Sequence, residues 1–177
     1  MIEVPVLETG RLRLRALRDE DAGAIYEYGR DPAVTRYMTW AQHRSLDDAT
    51  AFVKYAAEAV AAGSEMQWAF ARREDDGLIG AGGLRLQGHR VELGYAIARP
   101  HWGRGYATEA ARRIVEWALA DPAISRVWAY CHVDNVASAR VLEKAGMARE
   151  GRLDAWAVFP NLDGAPGDCW CYARVRR

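Results

Sequence analysis

Charged and apolar residues alternate over residues 11–16, with Leu12 and Leu14 on one side, and this two-residue period predicts a strand with one buried face. Asp19 stands where it can cap a helix carrying Ala22, Ile25 and Tyr26, which Gly29 and Pro32 end. Ser45, with Asp48 three residues on, predicts the start of a longer helix. Its apolar stripe is Leu46, Ala49, Phe52, Val53, Ala56, Ala57 and Val60, and Gly63 stops it. Residues 66–72 and 78–86 read as paired strands that turn at Glu74, Asp75, Asp76 and Gly77. A further strand over 91–98 puts Glu92, Gly94 and Ala96 on one face and Val91, Leu93, Tyr95 and Ile97 on the other; Pro100 ends it.

Ala107, Ala110, Ala111, Ile114, Val115, Ala118 and Leu119 recur at helical spacing, so a helix runs to Ala120, before Pro122. Its small side chains let the axis lie close to a sheet. A strand over 124–131 follows, then a short helix capped by Asp134 or Asn135 that carries Val141, Leu142 and Ala145 and stops at Gly146. The last two strands are expected at 153–159 and 168–175. This order of elements is that of a mixed α/β or α+β domain. The Gly/Pro-containing loop 160–167 is too short to separate domains and no repeat is visible, so 1–177 reads as one domain.

A chain of 177 residues supports one sizeable core. With 24 Lys+Arg against 24 Asp+Glu there is no broad basic surface for nucleic acid, so any anion site is local. Cys131, Cys169 and Cys171 are an odd number without paired spacing, which argues against a disulfide framework and fits the cytoplasm. The first residues lack the apolar run of a signal peptide, and nothing later is long and apolar enough for a membrane span. His89, His101 and His132, with Cys131, lack the spacing of a structural zinc site, so no metal is expected.

The most informative stretch is Val91-Glu-Leu-Gly-Tyr-Ala-Ile-Ala-Arg-Pro-His-Trp-Gly-Arg-Gly-Tyr-Ala-Thr-Glu-Ala, in which a strand passes through a compact glycine loop into a helix. Gly103 and Gly105 remove side-chain obstruction. The amides of Arg104, Gly105, Tyr106, Ala107 and Thr108 then point from a helix start toward phosphate oxygens. The Arg104 side chain either adds charge or faces solvent. A mononucleotide loop needs a Lys-Ser or Lys-Thr ending, and a dinucleotide fold needs its glycines in the first βαβ unit; neither is present. An acyl carrier with a diphosphate is the remaining candidate.

At this point the chain resembles the GNAT N-acetyltransferase superfamily, and more closely its ribosomal-protein alanine acetyltransferase-like (RimJ/RimL-type) branch. The resemblance rests on Trp102-Gly-Arg-Gly-Tyr-Ala-Thr-Glu-Ala and on Asp134-Asn-Val-Ala-Ser-Ala-Arg-Val-Leu-Glu-Lys-Ala-Gly-Met. Leu7-Glu-Thr-Gly-Arg-Leu-Arg-Leu-Arg and Asp31-Pro-Ala-Val-Thr-Arg-Tyr-Met also carry it. It implies an acetyl-CoA-dependent acyltransferase with a mostly antiparallel central sheet, splayed around the pantetheine arm and flanked by helices. The amides of residues 103–108 would hold the diphosphate. Trp102 replaces the Gln or Arg that many relatives have at the first place of the motif, which removes a charged contact but leaves the main-chain cradle.

Transfer of an acyl group to an amine needs a neutral amine, a route for its proton and help for the departing thiolate. Glu92, on the strand entering the cradle, reads as the proton acceptor or as an edge carboxylate paired with an Arg. Asn135 reads simply as a cap of the next helix, a place that Asp134 could also take, or as a site residue; the resemblance implies that it orients the pantetheine arm or the reacting region and that Ser138 assists the leaving thiolate. Tyr130 and Tyr172 compete with Ser138 for that role. Cys131 reads as a buried strand residue, and no Ser-His-acid arrangement makes Ser138 an acyl nucleophile. The main chain of Ile97 and Ala98 is expected to bond the pantetheine amides, and Arg140 and Lys144 either approach the nucleotide phosphate or lie on the surface.

The acceptor site is expected where the first helices meet the final hairpin, with Arg36, Tyr37, Trp40, Trp156 and Trp170 at its rim. The same aromatic residues would equally close the core edge. The branch favours a peptide N-terminal α-amine as acceptor. A small amine (an antibiotic, a polyamine or an amino-acid conjugate) is the alternative, and an idle acyl-CoA-binding module is the non-enzymatic one. The last strand, where Cys169, Cys171 and Ala173 alternate with Trp170 and Tyr172, offers packing or the edge of a homodimer.

Overall fold

In the computed structural model, which describes residues 3–176, a short hairpin of β1 (Leu7–Glu8) and β2 (Leu12–Arg15) begins the sheet. An antiparallel meander follows in β3 (Glu65–Arg72), β4 (Leu78–Gln87) and β5 (Arg90–Ile97). With β6 (Arg126–His132), β7 (Ala148–Val158) and β8 (Pro166–Val175) these form one eight-stranded sheet in the order β1-β2-β3-β4-β5-β6-β8-β7. Every pairing is antiparallel except β5 with β6.

Helices α1 (Ala22–Gly29), α2 (Pro32–Thr35) and α3 (Leu46–Ala61) gather a small core of Ile25, Tyr28, Val34, Ala49 and Val53 on one side, with Ala96 of β5. On the other, α4 (Tyr106–Ala120) and α5 (Val136–Lys144) lie over the larger core, which includes Leu12, Leu14, Trp68, Phe70, Val91 and Leu93. Ala110, Ala111 and Ala118 of α4 are buried with Ile114 and Val115, as their spacing predicts.

Several expectations need correction. Asp19 does not cap α1. It opens a 3-10 turn, Asp19–Asp21, and Asp21 supplies the carboxylate, accepting the Arg18 amide at 2.8 Å and pairing with buried Arg15 at 2.7 Å. Ser45 and Asp48 do start α3, but Leu46 and Ala57 face solvent while Ala59 is buried. The first strand of the hairpin, β1, and the single turn of α2 carry too few residues for a period. Strand β7 begins at Ala148, well before residue 153, because its first residues are all exposed and show no alternation. The last strand is no edge: β8 is paired with β6 on one side and β7 on the other, so a homodimer edge is not available there.

The parallel pair holds for only three register positions, Arg90 with Arg126, Val91 with Val127 and Glu92 with Trp128. Beyond them β5 continues along β4 and β6 along β8, so the sheet opens between them. Ala98 donates its amide to the Ile79 carbonyl at 2.8 Å, and the alternation of an antiparallel ladder then turns the main chain of Tyr95 and Ile97 toward the opening.

Candidate active site

The end of β5 leads through a 3-10 turn, Arg99–His101, into two glycines with left-handed backbone, Gly103 at φ +72° and Gly105 at φ +82°. That conformation is costly for residues with a Cβ, and a Cβ at Gly103 would project into open space. None of the amides of 103–108 has an acceptor among the described residues. With the α4 dipole behind them, these donors form an anion cradle that fits a diphosphate.

The cradle is tied down from far away in the chain. The Glu109 carboxylate accepts from Thr9 Oγ1 at 2.6 Å, from the Arg11 amide at 2.8 Å and from Arg11 Nε at 2.8 Å. The same guanidinium donates to the Arg104 carbonyl at 2.9 Å and lies 4.4 Å from the centroid of the Tyr106 ring. Burial alone would raise the Glu109 carboxyl pKa, but the donors from Thr9 and Arg11 hold it below the usual range. Arg104 itself is exposed. Trp102 spends its indole N–H on the Ile97 carbonyl at 2.7 Å, so that donor is not turned to a phosphate. Ala98 is likewise committed, its amide to Ile79 and its carbonyl to the His101 amide at 2.9 Å, which corrects its expected unpaired state; Ile97 keeps its amide toward the opening.

A cavity of about 620 Å³ runs through the opening, lined on the α5 side by Tyr95, Cys131, Asn135, Ser138 and Leu142 and on the other by Glu92 and Tyr130. A side chain at Gly94 would extend into open space here. Glu92 belongs to a cross-strand row: Glu65 on β3 pairs in register with Arg85 on β4, and Arg85 with Glu92 on β5. Glu65, only 5% exposed, accepts from Gln67 Nε2 at 2.7 Å, Tyr55 Oη at 2.8 Å and Arg85 Nε at 3.1 Å. Burial works against its charge, yet these donors hold its pKa below the usual range. Glu92 is held more loosely, by Gln87 Nε2 at 3.3 Å and Arg85 Nη1 at 3.9 Å. Burial therefore wins, and its carboxyl is pushed up despite Arg85. Two carboxylates of one row thus differ, Glu65 held firmly as an anion and Glu92 held by fewer and longer contacts.

Across the opening, Asn135 caps α5 by accepting the Ser138 amide at 3.1 Å, and its NH₂ has no partner among the described residues. Ser138 Oγ lies 2.9 Å from the Tyr95 hydroxyl. Cys131 is buried beside them, and burial pushes its thiol up to about 11, so it is a neutral neighbour and a poor nucleophile. Tyr172 is buried and hydrogen-bonded to Glu143 Oε1 at 3.1 Å, outside the cavity, which removes it as a competitor of Ser138. Tyr130 lines the cavity, with its phenol pushed up by burial and by Glu92. Arg140 and Lys144 are exposed on α5 and line no part of the cavity.

On the acceptor side, Tyr37 and Trp40 line the cavity, Tyr37 stacked on His132 at 5.1 Å and Trp40 tilted against His43 at 5.2 Å. Their segment is pinned by Asn161, whose Nδ2 donates to the Thr35 and Trp40 carbonyls, both at 2.8 Å, while its Oδ1 accepts the Gln42 amide at 2.8 Å. Trp156 is half exposed and stands edge-on to Trp128 and Tyr130, one layer outside the cavity. Arg36 is exposed and lies 5.5 Å over the Tyr37 ring, also outside it. Trp170 does not join this rim. It is in register with Cys131 on the face that carries α5, under the Arg149 guanidinium at 4.6 Å. Tyr95, Glu65, Arg85, Asn161 and the Thr9–Arg11–Glu109 tie were not assigned from sequence. Only Tyr95 and the last lay in stretches singled out there.

Residues 11–148 match the family model for the acetyltransferase (GNAT) domain. The uncharacterized N-acetyltransferase YoaA of Bacillus subtilis is 34% identical over 97% of this chain and 97% of its own length. Among solved structures, the microcin self-immunity acetyltransferase MccE, in complex with acetyl-CoA and AMP, superposes with a TM-score of 0.85 at 17% identity, covering 95% of this chain and 94% of its own. RimL, a ribosomal α-N-protein acetyltransferase in complex with coenzyme A, gives 0.85 at 18% identity, covering 97% and 98%. At these identities the structures establish a common fold.

Proposed function

Because the chain belongs to the GNAT acetyltransferase family and is an acetyl-CoA-dependent N-acetyltransferase, we propose that it acetylates a primary amine directly, with a peptide N-terminal α-amine as the first acceptor class. One observation carries the reading: a single cavity joins Glu92 on β5 to Ser138 on α5 at the point where the sheet opens beside the cradle.

Acetyl-CoA supplies an acyl group on a thioester. The amides of 103–108 would hold its diphosphate, the Ile97 main chain and Asn135 would orient its arm, and Arg140 and Lys144, exposed on α5, would meet its nucleotide phosphate at the surface. Glu92, with its carboxyl pushed up by burial, takes a proton from the incoming ammonium, so the neutral amine attacks. The carbon–nitrogen bond forms and the carbon–sulfur bond breaks; the proton that the nitrogen sheds on becoming an amide passes to the departing sulfur, which leaves as the thiol, and the Ser138 hydroxyl donates a hydrogen bond to that sulfur as it departs. Tyr37, Trp40 and Tyr130 surround the acceptor's first groups.

The likeness to RimL supports the peptide acceptor, and that to MccE supports a small-molecule amine as a second reading. Thiol release from acetyl-CoA, measured over a panel of N-terminal peptides, polyamines, amino acids and aminoacylated compounds, decides between them. Turnover concentrated on peptides is the expected result. Turnover concentrated on one small amine selects the second reading, and acetyl-CoA binding without thiol release across the panel overturns both.

A further inference from the structure

The face pattern of β5 assigns Tyr95 to the apolar side with Val91, Leu93 and Ile97, and its ring packs there. Its hydroxyl does something else. It reaches from β5 to α5 across the opening of the sheet, 2.9 Å from Ser138 Oγ and 3.3 Å from the Ser138 carbonyl. These are the hydrogen bonds that the phenol makes among the described residues.

The one phenolic proton has two acceptors in reach. Directed to the Ser138 carbonyl at 3.3 Å, it leaves Ser138 Oγ to donate to the phenol; directed to Oγ, the nearer at 2.9 Å, it leaves the serine proton free. A serine hydroxyl has one proton and two acceptor lone pairs, so an Oγ that accepts from Tyr95 keeps its proton for another partner. A serine in a helix otherwise turns to the carbonyl four residues back, here that of Asp134, which would spend that proton inside the helix. The Asn135 cap holds the Ser138 amide at 3.1 Å, so the backbone is anchored as well as the hydroxyl.

We propose that Tyr95 donates its hydrogen bond to Ser138 Oγ, the nearer of the two oxygens, and is thereby a positioning residue that holds the Ser138 hydroxyl with its own proton directed into the cavity, toward the sulfur that departs in acyl transfer. The proposal rests on the reading of Ser138 given above. Tyr95 neither gains nor loses a proton; it occupies one side of the hydroxyl and so narrows where the serine proton can point.

A double-mutant cycle of Tyr95→Phe and Ser138→Ala tests it, because Phe keeps the ring in the core and removes only the oxygen. Steady-state kinetics with saturating amine should show Tyr95→Phe lowering kcat about tenfold while the KM for acetyl-CoA stays within about twofold, a loss confined to the transition state. In the Ser138→Ala background the same substitution should cost nothing further. Ser138→Thr, which retains a hydroxyl, should keep the Tyr95→Phe penalty. Thermal melting and calorimetric titration with coenzyme A confirm that each variant is folded and binds. Equal losses from Tyr95→Phe in both backgrounds would overturn the inference, as would unchanged kcat in Tyr95→Phe when Ser138→Ala is slow. Unchanged kcat in Ser138→Ala would instead overturn the role of Ser138 and the inference with it.

Discussion

Between Gly103 and Thr108 the groups left open are main-chain amides supplied by one unbroken segment. On the far side of the opening the cavity is lined by side chains: Glu65, Arg85, Glu92 and Tyr130 on successive strands, and Tyr37 and Trp40 on a connection held by Asn161. The first arrangement depends on backbone conformation and tolerates exchange of side chains such as Arg104. The second changes character with each side chain, because its charge and shape are nothing but side chains. One fold can therefore keep its acyl donor while its acceptor varies.

The sharpest way to separate the two regions is Glu92→Gln. If Glu92 takes the amine's proton, kcat should fall by about 10²–10⁴ while acetyl-CoA binding persists. In the parent enzyme the rate should fall as pH drops through the raised pKa of this carboxyl, since only the carboxylate accepts a proton. That acid limb should be missing from the residual rate of the variant; its persistence would assign the base elsewhere.

Next in size is Gly105→Val, which places a β-branched residue at φ +82°. Strain of about 1–3 kcal/mol at such a position should weaken acetyl-CoA binding by about 10–100-fold in calorimetric titration, with the acceptor KM unaffected. A parallel rise in acceptor KM would show that the regions are not separable.

Arg11→Ala asks whether the cradle depends on its distant tie. Removal of the donors to Glu109 and to the Arg104 carbonyl should raise the acetyl-CoA KM about tenfold, with kcat kept at saturating cofactor, the signature of lost uniform binding. The smallest effect is expected for Asn161→Ala. Freeing the Tyr37–Trp40 segment should raise the acceptor KM by about threefold to tenfold, for net bonds of about 0.5–1.5 kcal/mol, without moving the acetyl-CoA KM.

How much of this was legible in the sequence follows the same division. Gly103, Gly105 and the helix that begins at Tyr106 are neighbours in the chain, so the cradle was readable as a local motif. The faces of β5 were readable too, since they follow from a period of two. Tyr95 shows the limit: its ring obeyed the apolar pattern, but its hydroxyl met Ser138 through the approach of α5, which no period encodes. Trp170 failed for a related reason, because the face of β8 turned to the acceptor depends on its register with β6.

Taken alone, the order of residues determined most of the strands and helices, though not β1, α2 or the start of β7, and where two glycines free the main chain before a helix, and so where an anion can be held. These are short-range matters of dihedral angle and hydrogen-bond capacity. The tertiary structure decided that Glu65, Arg85 and Glu92 form one row, that Glu109 reaches Thr9 and Arg11, and that Asn161 holds the Tyr37–Trp40 segment. Those depend on strand register and on loops meeting across the sheet, where the energy of a contact is shared by residues that lie far apart in the chain.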